Sequence, residues 1–109
     1  MLENSVWRQY HDSRTIHDTL TTLYGCEDEM IETDETHLYA TLKRRLTKKE
    51  LRAFIMKEAG IKDDVISSEL HVNAKELEVM LRKAYRKVRQ DELRNAVSVS
   101  IKKLNNTDS

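Results

Sequence analysis

Apolar positions recur along this chain at the three- and four-residue spacing of helices, and in its second half the starts and stops are marked as well. Leu51, Phe54, Ile55 and Met56, with Ala59, form one apolar side. Thr47-Lys48-Lys49-Glu50 ahead of them is a capping box, in which the threonine hydroxyl accepts from a free backbone N–H and the glutamate reaches back to the cap's own N–H. Gly60 ends that helix, because glycine takes the left-handed cap conformation without penalty. Ile61 leads into a short helix from Lys62 or Asp63 to Leu70, with Val65, Ile66 and Leu70 facing inward. His71-Val72-Asn73 then makes a three-residue turn. Asn73-Ala74-Lys75-Glu76 is a second capping box, opening a helix that buries Leu77, Met80 or Leu81, Ala84, Tyr85 and Val88. Position 92 should continue this stripe and holds glutamate, so a break is predicted between Arg89 and Glu92. Leu93, Val97, Ile101 and Leu104 resume the helical spacing. Val97 to Ile101 also alternates as a strand would, but with no partner strand in view a fourth helix is predicted. Residues 105–109 read as a frayed, disordered polar tail.

The first 45 residues are patterned less clearly. Val6, Trp7, Tyr10, Ile16, Leu20, Leu23 and Tyr24 fit a helical stripe that Ser13 and His17 interrupt, so one helix or two are predicted before a stop at Gly25. Glu27, Asp28 and Glu29 suit the positive end of a following helix's dipole. That second helix is predicted to bury Ile31, Leu38 and Leu42, with Tyr39 alongside, and to reach Arg45.

Composition narrows the fold class. The 109 residues include no proline and only Gly25 and Gly60 as glycines, so helices run uninterrupted and tight hairpins lack their residues. An all-α protein is predicted: a four-helix helix-turn-helix domain at 46–104, preceded by an acidic helical extension at 1–45. The single Cys26 forms no internal disulfide, and no secretory signal or membrane-length apolar run is visible, which points to the cytoplasm.

A net charge of zero hides a division. Residues 1–42 set two basic side chains against nine acids, a net of −7, and the remainder sets seventeen against ten, a net of +7. A basic module facing a polyanion, with an acidic segment competing for the same surface, is one reading of this asymmetry; solvated helix faces are the other.

Few residues suggest catalysis or a cofactor. His11 and His17 fall on different sides of a helix, and His37 and His71 have no cysteine nearby, so no metal site is expected. Cys26 lies beside three acids that disfavour its thiolate. The chain has no glycine-rich phosphate loop and no Ser-His-Asp arrangement. Trp7 and Tyr10 read as core or interface residues, because few basic residues surround them. Neither an enzyme nor a cofactor-binding protein is expected.

A supporting helix, a short helix, a three-residue turn and a longer amphipathic helix form the layout that lets the last element enter a DNA major groove. Residues 46–104 resemble, without gaps, the helix-turn-helix domain of LuxR and NarL type regulators, and are also similar to region four of sigma factors. Leu46-Thr47 with Glu50 resembles the opening of the LuxR-type domain, Gly60 its helix-ending glycine, and Ile66, Leu70 and Val72 its core around the turn. Lys75, Arg86-Lys87-Val88 and Ala96-Val97 match its recognition-helix lysine, its basic-basic-apolar exit and the Ala-Val of its fourth helix. Where the family commonly has Lys-Thr-Val-Lys, this chain has Lys75-Glu76-Leu77-Glu78.

The resemblance implies a transcriptional regulator that reads double-stranded DNA with the helix at about 74–88. Val79, Arg82 and Glu78 would meet bases, and Lys75, Lys83, Arg86 and Lys87 phosphates. A carboxylate at position 78 accepts from the cytosine amino group but is repelled by phosphates. The alternative is an interaction module that kept the fold without reading bases, with RNA polymerase or another regulator as its partner. A homodimer through Val97, Ile101 and Leu104 is compatible with either, and no membrane partner is expected.

Overall fold

The computed structural model describes residues 5–11 and 14–98, and among these every extended element is helical. In chain order they are α1 (Val6–Tyr10), α2 (Ile16–Tyr24), a single 3-10 turn (Asp28–Met30), α3 (Glu35–Arg45), α4 (Lys48–Glu58), α5 (Asp63–Leu70), α6 (Ala74–Arg89) and α7 (Asp91–Val97). The chain is all-α, and none of these helices is long and apolar enough to cross a membrane.

From residue 46 onward the elements follow their local signals. Both capping boxes are formed: Thr47 Oγ1 accepts from the Glu50 N–H at 3.1 Å and Glu50 Oε1 from the Thr47 N–H at 3.0 Å, while Asn73 and Glu76 exchange the same pair at 2.7 and 2.9 Å. α4 stops at Gly60, whose φ of +80° lets the Ile61 N–H reach back to the Met56 carbonyl at 3.1 Å. α5 ends the same way on a residue less suited to it. His71 takes φ +57°, and the Val72 N–H reaches the Ser67 carbonyl at 3.0 Å. α6 breaks at Gln90, whose ψ of 149° leaves the helical region, inside the window where the apolar stripe slips.

Three expectations fail, each for a readable reason. Val65 does not face inward but is 46% exposed, because Ile66 and Leu70, four apart, define the buried side of α5 and Val65 lies about 100° away from Ile66. The second helix of the extension starts only at Glu35, where the Asp34 side chain accepts from the Thr36 and His37 N–H groups. The acids at 27–29 therefore lie at the 3-10 turn rather than on that helix's first turn. Ile31 is buried outside any helix, paired with Ser98 in an isolated antiparallel bridge, and the Glu32 N–H donates to the Val97 carbonyl at 2.8 Å. The last helix correspondingly ends at Val97, with Ser98 extended at ψ 141°. Ile101, Leu104 and the tail at 105–109 lie outside the described residues.

α4 is the central element. It contacts α1, α3, α5 and α6, which explains why Leu51, Ala53, Phe54, Ile55 and Met56 are all buried rather than one stripe of them. The larger core joins Trp7, Ile16, Leu20, Leu38 and Leu42 of the extension to Leu51, Phe54, Ile55, Val88, Leu93 and Val97. A smaller one, formed by Ala53, Met56, Ile66, Leu70 and Leu77, sits at the junction of α4, α5 and α6.

Candidate nucleic-acid interface

α6 carries most of the charged residues singled out in the sequence, and its orientation decides what they can touch. Its 16 residues bury Leu77, Ala84 and Val88 against the core, with Met80, Leu81 and Tyr85 closing the margins. At about 100° per residue, the opposite side carries Lys75, Val79, Arg82 and Arg86 in one stripe. All four are exposed, and Val79, at 41%, is one of the few large apolar side chains left open among the described residues. The acidic segment therefore does not cover this stripe with any described residue. It packs through α1 and α3 onto α4 and α7 instead.

Two ties hold α6 in its orientation. Lys87 Nζ donates to Glu50 Oε1 at 2.7 Å, on the same oxygen that closes the α4 capping box. Burial alone would raise the Glu50 pKa, but the Lys87 ammonium and the Thr47 N–H prevail and hold the carboxyl below the ordinary glutamate value. On the other margin the Tyr85 hydroxyl donates to Glu58, which also faces the Arg14 guanidinium at 3.8 Å, and the Tyr85 ring meets Phe54 edge-on at 5.1 Å. Burial and the Glu58 carboxylate both push the Tyr85 hydroxyl's pKa upward, so it stays a neutral donor.

No family model, curated protein or solved structure matches this chain. The resemblance to LuxR and NarL type domains is thus an expectation from the residues of 46–104 alone.

Six of the seven residues singled out border three separate clefts. Lys75, Val79 and Lys83 border a cleft of about 420 Å³ between α6 and the start of α4. Arg82 and Arg86 border another of about 700 Å³ near the C-terminal half of α6, where Arg89 lies 5.6 Å from the Tyr85 ring centre. Glu78 borders a third of about 470 Å³, shared with Asp63 and Asp64 at the start of α5. Glu78 Oε1 also accepts from Arg82 Nη2 at 3.0 Å across one turn of helix, with both side chains more than two-thirds exposed. Lys87, grouped with the phosphate contacts, is engaged by Glu50 within the protein.

Lys49 was not singled out, yet it borders the same cleft as Lys75 and Lys83. Its place in the first turn of α4 was legible; that this turn lies beside α6 was not. The Glu50–Lys87 pairing spans 37 residues and has no local signature.

The remaining candidates are occupied by structure. Trp7 is fully buried, its indole N–H donating to the Arg14 carbonyl at 3.0 Å and its ring stacked on His11 at 4.0 Å. His11 Nε2 donates to the Ile55 carbonyl at 3.0 Å, which assigns the hydrogen to that nitrogen. His17 is bonded to the Asp28 carbonyl at 2.7 Å, and His37 faces Glu32 at 3.0 Å. Among the described residues no three His, Cys, Asp or Glu side chains converge as a metal site would require.

Proposed function

We propose that this protein is a DNA-binding transcriptional regulator whose α4–α7 form a helix-turn-helix domain carrying α1–α3 as an N-terminal extension. One observation carries the reading: the stripe Lys75–Val79–Arg82–Arg86 is exposed along a helix whose opposite side is buried. An α-helix about 10–12 Å across fits a major groove about 12 Å wide. In that pose Val79 meets thymine methyl groups, Arg82 reaches guanine O6 and N7, and Lys75, Lys83 and Arg86 meet phosphates.

The test is a fluorescence anisotropy titration with random-sequence duplex DNA at several salt concentrations. Binding in the range of about 1–100 µM near physiological salt, weakening linearly in log–log form as salt rises, is the expected result. No binding even at low salt would sink the proposal.

A second reading is favoured by the carboxylates beside the stripe. Asp63, Asp64 and Glu78 share a cleft on the α5 side of α6, where a phosphate would be repelled. An interaction module that docks on RNA polymerase or another regulator tolerates them. Arg82→Ala separates the two readings: it relaxes base preference if the helix reads DNA, and leaves DNA titrations unchanged if it does not.

A further inference from the structure

The two flanks of α6 are opposite in charge. On the α4 side Lys49, Lys75 and Lys83 border one cleft together with Val79 and Met80, and none of the three lysines has an ion-pair partner among the described residues. The same cleft contains two carboxylates, both turned to other work. Glu50 Oε1 faces Lys87 and the Thr47 N–H, and Glu76 Oε1 accepts from the Asn73 N–H at 2.9 Å. On the α5 side the corresponding cleft is bordered by Asp63, Asp64 and Glu78, with no lysine or arginine among its lining residues; Asp63 pairs with Lys57 at 2.8 Å and Glu78 with Arg82 at 3.0 Å, which leaves Asp64 without an ion-pair partner among the described residues. In the usual docking of this motif the helix before the turn crosses the DNA backbone. Here that helix begins with two aspartates.

We infer that the DNA backbone is gripped on one side only: the cleft formed by Lys49, Lys75 and Lys83 is a phosphate seat for one strand, and the α5 flank holds the other strand away. This rests on the DNA reading and adds a lysine from α4 to it. Anions are drawn to the lysine cleft because three exposed ammonium groups border it. On the α5 flank the unpaired carboxylate of Asp64 repels them. Phosphate contacts set orientation without sequence information, so the seat fixes how α6 lies in the groove while Arg82 and Val79 do the reading.

The test measures the salt dependence of binding to random-sequence duplex DNA by the full chain and by Lys49→Ala, Lys83→Ala, Asp64→Asn and, as a control distant in sequence on α3, Lys43→Ala. Each of the first two is expected to weaken binding several-fold and to lower the log–log salt slope by about one, the signature of a lost phosphate contact. Asp64→Asn is expected to strengthen binding with the slope little changed, because a repulsion is removed and no ligand is added. Lys43→Ala should leave both unchanged. The exchanged side chains are exposed, and circular dichroism confirms that each variant is folded. If the unaltered chain binds and the slopes of Lys49→Ala and Lys83→Ala equal its own, the phosphate seat is wrong while the DNA reading stands. If Asp64→Asn weakens binding, the one-sided grip is wrong. If the unaltered chain does not bind DNA at any salt concentration, both readings fall together.

Discussion

The part of the chain before residue 46 and the part after it are both helical, share the larger core, and are held in shape by different kinds of contact. After residue 46 the ends of the helices are secured mainly by neighbours in sequence: capping boxes at Thr47–Glu50 and Asn73–Glu76, and left-handed stops at Gly60 and His71. Before it, side-chain caps at Ser5, Thr15 and Asp34 and a left-handed stop at Gly25 are joined by contacts from afar. The first turn of α2 shows this most clearly. Its Ile16 and His17 N–H groups donate to the two carboxylate oxygens of Glu35, 19 and 18 residues away, at 2.8 and 3.0 Å, while Asp18 and Thr19 are served locally by Thr15. Three otherwise free N–H groups of that helix end, those of Ile16, His17 and Asp18, are satisfied, two of them only once α3 is in place. Likewise His11 reaches Ile55, Tyr24 reaches the Val88 carbonyl at 2.7 Å, and Ile31 pairs with Ser98. The extension thus adds long-range ties to its local caps, whereas the starts of α4 and α6 are completed within four residues by their capping boxes.

The sharpest way to break this difference is at Trp7, the fully buried link between α1 and the core. Trp7→Ala is expected to cost about 3–5 kcal/mol, the usual range for emptying a large aromatic site. Urea unfolding followed by circular dichroism measures it, and a loss under about 1 kcal/mol would show that α1 is a loose appendage. Glu35→Ala comes next, at about 1–3 kcal/mol, since it strips two charge-assisted acceptors from the start of α2. Hydrogen exchange at the Ile16 and His17 amides should accelerate more than at the start of α4; equal acceleration at both would contradict a local effect.

His71→Gly acts in the opposite direction. The side chain occupies a left-handed position that glycine adopts without strain, so the substitution should stabilise the protein by about 1 kcal/mol, read as a higher urea midpoint. No change would mean that the His71 conformation carries no strain.

The smallest effects separate the regions by pH. Burial lowers the His11 pKa from its ordinary 6.5, so the folded state prefers the neutral ring. Its contribution is full above pH 6.5 and is lost as pH falls through the lower folded value. Glu50, depressed from 4.5, contributes fully above pH 4.5 and loses its contribution only as pH drops further. Stability should therefore decline first through the extension and later through the α4–α6 contact, and His11→Gln should remove the earlier decline alone. An unaltered profile between pH 7 and 5 in that variant would assign the decline to another group.

What was legible follows the same division. The bounds of α4, α5 and α6 could be read because their caps and stops lie within a few residues of the helices they end, and the outward stripe of α6 because a buried face fixes its opposite. Ile31 could not be placed, because an apolar residue ahead of a helical run gives no sign that it will pair with Ser98 across the molecule. The strand-like alternation after Val97 was the one available hint, and it lacked a visible partner. The candidate site was legible as five cations with Glu78 and Val79 on one helix; its division into a lysine flank and a carboxylate flank depends on which neighbours α4 and α5 bring alongside.

Glu50 shows what such a division demands of the chain. One carboxylate oxygen both completes the start of α4 and anchors α6 through Lys87. A change at position 50 thus disturbs two helices at once, whereas a change at position 87 disturbs only their docking. A substitution at 50 is consequently expected to cost more than a cation-keeping exchange at 87, since only the first removes a cap and a docking tie together. The orientation of α6 on α4 therefore depends in part on a single carboxylate oxygen.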